Sequence, residues 1–129
     1  MDGQPLPPVL KDDENERPIP GAWRPTFQAI VAAFVKGDYE MSVGVPGVEP
    51  LSPEKAQHVR DSIADYGETL VDLPDDTWKS SVTLWMGSHW DVLIDLWTES
   101  EGRSDLVLDC KVRETEDGYR YQVHLVYVP

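Results

Sequence analysis

From Ser81 to Val128 the chain alternates, and this alternation restricts its fold more than any other feature. SVTLWM, WDVLIDLWT, DLVLDCKVRE and YRYQVHLVYV are four runs in which apolar side chains return at every second residue. That is the period at which side chains share one face of a strand. Only GSH, ESEGRS and TEDG separate the runs. Connections this short join antiparallel neighbours, because a parallel pair needs a long crossover. The four runs therefore read as an antiparallel meander.

Asp117-Gly118 is the strongest hairpin signal. As a two-residue turn it pairs Val112 with Val123, Cys110 with Leu125 and Leu108 with Tyr127. A short loop around Gly102 pairs Leu96 with Leu106 and Ile94 with Leu108. GSH as a three-residue loop pairs Leu84 with Val92. Together these registers gather nearly all large aliphatics on one face, the condition that fixes register.

That face needs a cover, and the first half of the chain supplies two helices. Phe27, Ile30, Val31 and Phe34 recur at helical spacing after Pro25, and Gly37 ends the run. Ser52-Pro53-Glu54 combines a cap, proline at the first helical position and an acid in the first turn. Ala56, Val59, Ile63 and Tyr66 follow as a stripe, with Gly67 as the C-terminal stop. Leu70 to Leu73 reads as a short strand before Pro74. Residues 1–20 hold five prolines and KDDENER without apolar periodicity, so they read as a disordered, acidic lead-in. Pro5, Pro7 and Pro8 could serve a proline-reading module, although a plain floppy terminus is the simpler reading. The expected architecture is α+β: two helices on one face of a four-stranded antiparallel meander, in a single domain over residues 21–129.

The second sheet face then carries Thr83, Trp85, Asp91, Leu93, Asp95, Trp97, Val107, Asp109, Lys111, Arg113, Gln122, His124 and Val126. Catalysis fits it poorly. Asp91 and Asp95 stand ~13 Å apart along one strand, and Asp109 lies ~7–8 Å from each as a diagonal neighbour. Inverting glycosidases use a comparable carboxylate separation, but they need a cleft and one raised pKa. A flat face offers neither, and ordinary cross-strand pairing explains the same residues. His58, His89 and His124 show no metal-ligand spacing. Cys110 falls on the apolar face, where a free cysteine packs as a small hydrophobe. The sequence has no GxSxG, P-loop or GxGxxG. No cofactor is expected.

What remains is binding. Trp85, Trp97, Leu93, Val107 and Val126 make a mixed patch, of the kind found at interfaces, on a face otherwise polar; with Asp91, Asp95 and Asp109 it is the expected contact surface, and Arg103 could anchor a partner from its loop tip. The plain alternative is that neighbouring segments cover Trp85 and Trp97. A net charge of −13 argues against nucleic acid and anionic membrane and suits a basic protein partner. Acidity that serves solubility alone is the competing reading. No apolar run approaches the roughly 18 residues that span a bilayer, and the N-terminus lacks the basic start and apolar core of a secretory signal. The single cysteine fits a reducing compartment, and the expected location is the cytoplasm.

PIPGAWRPTFQAIVAAFVKGDY, GVPGVEPLS, IADYGETLVDLP, TWKSSV, WDVLIDLWTESEGRSDLVL and VHLVYVP resemble a small bacterial family known only as a domain of unknown function, from Pro18 to Pro129. The resemblance brings no activity. By analogy, small acidic proteins of this kind are often immunity proteins that neutralise toxins by surface binding. AFVKGDY followed by a long meander is also similar to cystatin-like folds of the nuclear-transport-factor-2 type. That likeness implies a ligand or enzymatic pocket between helices and sheet, lined by Trp90, Tyr121, Tyr127, Phe34 and Tyr66. The leading expectation is an immunity or regulatory protein that binds a protein partner without catalysis. The pocket is the alternative, and a homodimer through the second face is compatible with either.

Overall fold

A computed structural model describes residues 9–129; Pro5, Pro7 and Pro8 lie outside the described residues. The helices follow their signals closely. Helix α1 spans Arg24–Val35 and buries Phe27, Ile30, Val31 and Phe34. Helix α2 spans Pro53–Tyr66. The Ser52 hydroxyl accepts the Lys55 N–H at 3.2 Å, satisfying one of the donors left open at a helix start. Gly67 closes α2 in the left-handed region, at φ +84°, where glycine escapes the Cβ penalty.

The sheet is antiparallel and six-stranded rather than four-stranded. Strands β3 (Val82–Trp85), β4 (Trp90–Thr98), β5 (Gly102–Thr115) and β6 (Gly118–Tyr127) are the expected meander. The additions are two-residue strands, β1 (Arg17–Pro18) on β3 and β2 (Leu70–Val71) on β4. The order is β1-β3-β4-β5-β6, with β2 sharing an edge of β4 with β3. The extra strands escape a periodicity search because two residues cannot show a period.

Part of the presumed lead-in belongs to the fold. Ile19 is buried, and the Trp90 indole N–H donates to the Leu10 carbonyl at 3.0 Å. The Trp85 N–H faces the Asp12 carbonyl at 3.4 Å. Ile19 sits between two prolines with no periodic neighbours, so nothing in the local pattern marks it as core.

Both helical stripes meet Trp90, Val92, Ile94, Leu96, Leu108, Cys110 and Val112 in one closed core. Two hairpin registers differ from expectation. Met86 N–H donates to the His89 carbonyl at 2.8 Å, so Gly87-Ser88 forms a two-residue turn with Gly87 at φ +95°. Glycine at the first central position is what a type II′ turn requires. The consequence is a one-residue slip: Thr83 pairs with Val92 and Trp85 with Trp90. A slip of one exchanges the faces of a strand. Trp85 and Thr83 therefore lie on the core side, and Val82 and Leu84 on the other.

In the second hairpin Thr115 pairs with Gly118, which leaves Glu116-Asp117 as the turn rather than Asp117-Gly118. Val112 accordingly meets Tyr121. A register break between Asp109 and Cys110 leaves His124 as the extra residue of β6. The bulge flips the end of the strand: Val126 enters the core and Leu125 leaves it. Between β4 and β5, Ile94 meets Leu108 as expected, and a break after Asp95 removes the expected Leu96–Leu106 pair.

The 37–51 segment closes part of the β6 edge. Tyr121 N–H donates to Gly47 O, and Glu49 N–H donates to Tyr121 O, both at 2.9 Å. Gly47 has φ +80°, and a Cβ there would stand 3.2 Å from Tyr119 O. Gly47→Ala is expected to cost about 1–3 kcal/mol, the scale of a non-glycine residue forced into the left-handed region. A urea melt checks this; an unchanged midpoint would mean that the loop can move off the edge.

Candidate functional site

No helix among the described residues covers the second sheet face. Alternation along β4 places Asp91, Leu93, Asp95 and Trp97 there, each half-buried, opposite Lys111, Asp109, Val107 and Arg103 of β5. Five of the six expected partner-binding residues share this face: Asp91, Asp95, Trp97, Asp109 and Arg103. Trp85 does not. Its ring lies on the other side of the sheet, 4.7 Å centroid to centroid from Trp90. Val126 and Thr83 also leave the face, while Val82, Leu84, Leu125 and Tyr127 join it.

At the centre stands a charge cluster. Lys111 Nζ donates to Asp91 Oδ1 at 2.6 Å and lies 3.7 Å from Asp109 Oδ1. Burial works to lower the Lys111 pKa, but the hydrogen bond to Asp91 and the charges of Asp109 and Asp91 together lift it above the ordinary value. The ammonium stays charged. Asp109 is the anomalous member. Its side chain keeps only 15% of its exposure, and Oδ1 is buried without a hydrogen-bond partner. Desolvation raises its carboxyl pKa, outweighing the opposing pull of Lys111 and His124. Lys111 and Asp109 are an ion pair without a hydrogen bond, since 3.7 Å exceeds hydrogen-bond length.

Asp95 has a structural task. Its carboxylate accepts the Ser80 hydroxyl, and its carbonyl accepts Thr77 Oγ1 at 2.6 Å. This ties β4 to the short 3₁₀ turn Asp75–Lys79. Trp97 packs partly on the core and over Gly102, and its indole N–H is buried without an acceptor. Arg103 is exposed opposite Trp97. His124, expected beside Lys111, is displaced by the bulge, and Gln122 holds that position.

The turn brings together a group that sequence spacing did not suggest. Ser88 Oγ lies 2.9 Å from His89 Nδ1, and His89 Nε2 lies 3.2 Å from Asp91 Oδ1. Hydroxyl, imidazole and carboxylate thus form a chain. Its carboxylate is already held by Lys111, and Ser88 is exposed on a hairpin tip. It orders the turn rather than building a nucleophile. Cys110 is fully buried with its thiol pKa pushed up by burial, so thiolate chemistry is suppressed. Among the described residues no group of three or more His, Cys, Asp or Glu could hold a metal ion, and no helix is long and apolar enough to cross a membrane.

The five aromatics expected to line a pocket between helices and sheet do not meet around one. Phe34, Trp90 and Tyr121 are buried in the core. Tyr127 is on the second face, and the Tyr66 hydroxyl accepts the Asp105 N–H at 3.1 Å at the far end of the sheet. A cavity of about 450 Å³ instead opens beside the 9–22 segment, lined by Trp23, Trp85, Trp90 and Tyr119. The sequence signal for it was the Gly87-Ser88 turn, which sets the Trp85 register.

The chain belongs to the family described as Domain of unknown function (DUF7668), whose family model matches residues 31–129. Comparison with curated proteins and with solved structures finds no match.

Proposed function

We propose that the protein acts by binding a basic protein partner on the second face of its sheet, without catalysis, as an immunity or regulatory protein of the cytoplasm. The observation that carries this reading is Asp109. A carboxylate whose side chain is 15% exposed, and whose buried Oδ1 accepts no hydrogen bond and has Lys111 Nζ no nearer than 3.7 Å, is costly to keep. A lysine or arginine from a partner would complete it. Leu93, Val107, Leu125 and Tyr127 around it supply the apolar surface of an interface core, and Asp91, Arg103 and Trp97 supply its polar and aromatic margin. The net charge of −13 would speed encounter with a basic partner.

Capture from a lysate of the source organism tests the reading. At low salt the tagged chain is expected to retain one stoichiometric partner, released as ionic strength rises and exposed charges are screened. Leu93→Lys puts a cation at the centre of the face and should abolish capture. Lys36→Glu, beyond the end of α1 and away from this face, should not. Equal capture by both variants would place the interface elsewhere. If the retained partner is a second copy of the chain, the same face serves a homodimer.

A further inference from the structure

The cavity beside the 9–22 segment has one polar group in its wall that nothing satisfies. Its volume, about 450 Å³, falls within the range of small-ligand sites. Trp23 and Trp90 line it with no exposed surface of their own, and Trp85 and Tyr119 line it half-buried. Most of the remaining lining is apolar, and its two charged residues answer each other. Arg17 Nη2 stands 2.8 Å from Asp12 Oδ2, and Arg17 Nε donates to the same oxygen at 3.0 Å. An ion entering the cavity would give up water and meet no unpaired counter-charge, so the lining suits a neutral occupant. The polar side chains differ in how they are met. Thr83 Oγ1 donates to the Asp91 carbonyl at 3.1 Å, and the Trp90 indole N–H donates to the Leu10 carbonyl at 3.0 Å. The Trp23 indole N–H is buried and has no acceptor among the described residues. An indole nitrogen can only donate, and a buried donor left without an acceptor is costly.

We propose that this cavity binds a neutral, flat ring compound bearing a carbonyl or similar hydrogen-bond acceptor, which takes up the Trp23 N–H. The ring packs among the Trp and Tyr rings, whose offset and edge-to-face arrangements suit another aromatic. Trp23 has no exposed surface, so a neighbour must yield for the acceptor to arrive. Tyr119 is that neighbour: it is half-buried and packs T-shaped on Trp23, with ring centroids 5.2 Å apart.

The test follows the indole N–H signals of the five tryptophans by two-dimensional NMR of the full chain. The probe is acetophenone. Its planar isostere α-methylstyrene carries a methylene in place of the carbonyl oxygen, and benzoate and benzamidine are the anionic and cationic counterparts. Acetophenone should move the Trp23 signal saturably and downfield, the direction of a new hydrogen bond. The Trp97 N–H is also buried without an acceptor, but it lies on the other sheet face and should stay. α-Methylstyrene should bind about threefold to tenfold more weakly, the worth of one hydrogen bond, and both ions should bind more weakly than acetophenone. Trp23→Phe keeps a ring and removes the donor, so the two neutral probes should become equal in it. A Trp23 signal that acetophenone leaves unmoved overturns the proposal, as does an equal shift at Trp97. Equal binding of α-methylstyrene to wild type overturns it too, because the cavity would then be only an apolar hole. Tighter binding of either ion overturns the neutral reading. The wild-type titrations decide each of these points, so the conclusion does not depend on whether Trp23→Phe folds.

Discussion

A chain cut to residues 31–129 is expected not to fold, although that is the segment the family model matches. The cut removes Ile19, Trp23, Phe27 and Ile30, each no more than 1% exposed. Full burial of one such side chain contributes about 1.5–3 kcal/mol, so four supply about 6–12 kcal/mol. Whole domains are stable by only about 5–15 kcal/mol. The loss also uncovers partners that the missing rings pack against. Trp23 stacks edge-on to Trp90 at 5.3 Å between centroids, and Phe27 to Tyr121 at 5.5 Å. A chain starting at residue 9 keeps all of these contacts and should melt cooperatively. Circular dichroism of both chains decides the matter, and a cooperative melt for 31–129 would show that the N-terminal contacts are dispensable.

Trp90→Ala is expected to lower stability by about 3–5 kcal/mol, the usual cost of deleting a large buried aromatic. The indole is fully buried. It contacts Trp85 at 4.7 Å and Tyr119 at 5.9 Å between centroids, besides Trp23. Its N–H also ties down the lead-in at the Leu10 carbonyl, 3.0 Å away, so amide exchange around residues 9–12 should speed up with the loss. Denaturant unfolding gives the magnitude. A loss under about 1 kcal/mol would remove Trp90 from the core, since that is the scale of surface substitutions.

How much of this fold was legible depends on the kind of signal each element carries. The helices were readable because two independent cues agree: caps at Ser52 and Gly67, and stripes repeating at helical spacing. The four long strands were readable from period two. Turns were the weak point, because a single residue of loop length exchanges the faces of a whole strand. Reading Gly87-Ser88-His89 as the loop put Trp85 beside Asp91; the Gly87-Ser88 turn puts it beside Trp90. The His124 bulge has the same character. Leu125 and Val126 are both apolar, so either parity satisfies the pattern, and only packing in the core beside Leu108 of β5 chooses Val126. Ile19 gave no sign at all, being one apolar residue between prolines. The grouping of Asp91, Asp95, Trp97 and Asp109 on one face survived these slips because β4 and β5 kept their register at Ile94–Leu108; Arg103, expected at a loop tip, joins them opposite Trp97 only through the register break after Asp95. The partnerless oxygen of Asp109 depends on side-chain positions to a fraction of a hydrogen-bond length, which no periodicity encodes.

Asp109 also links stability to pH. Its carboxyl pKa is raised in the folded chain, so folding favours the neutral form. Below the unfolded value, about 3.9, both states are protonated and the group costs nothing. As pH rises through that value and then through the higher folded value, the cost appears and stays. Asn is the neutral isostere, so Asp109→Asn should match wild type in acid and exceed it at neutral pH by on the order of 1 kcal/mol.

The most direct test is therefore one variant measured twice. Asp109→Asn is melted at pH 7 and used in the low-salt capture beside wild type. A binding role for the face predicts a variant that melts at or above the wild-type temperature and loses its partner. A variant that captures the partner as well as wild type would contradict it, because the buried carboxylate would then have no part in binding.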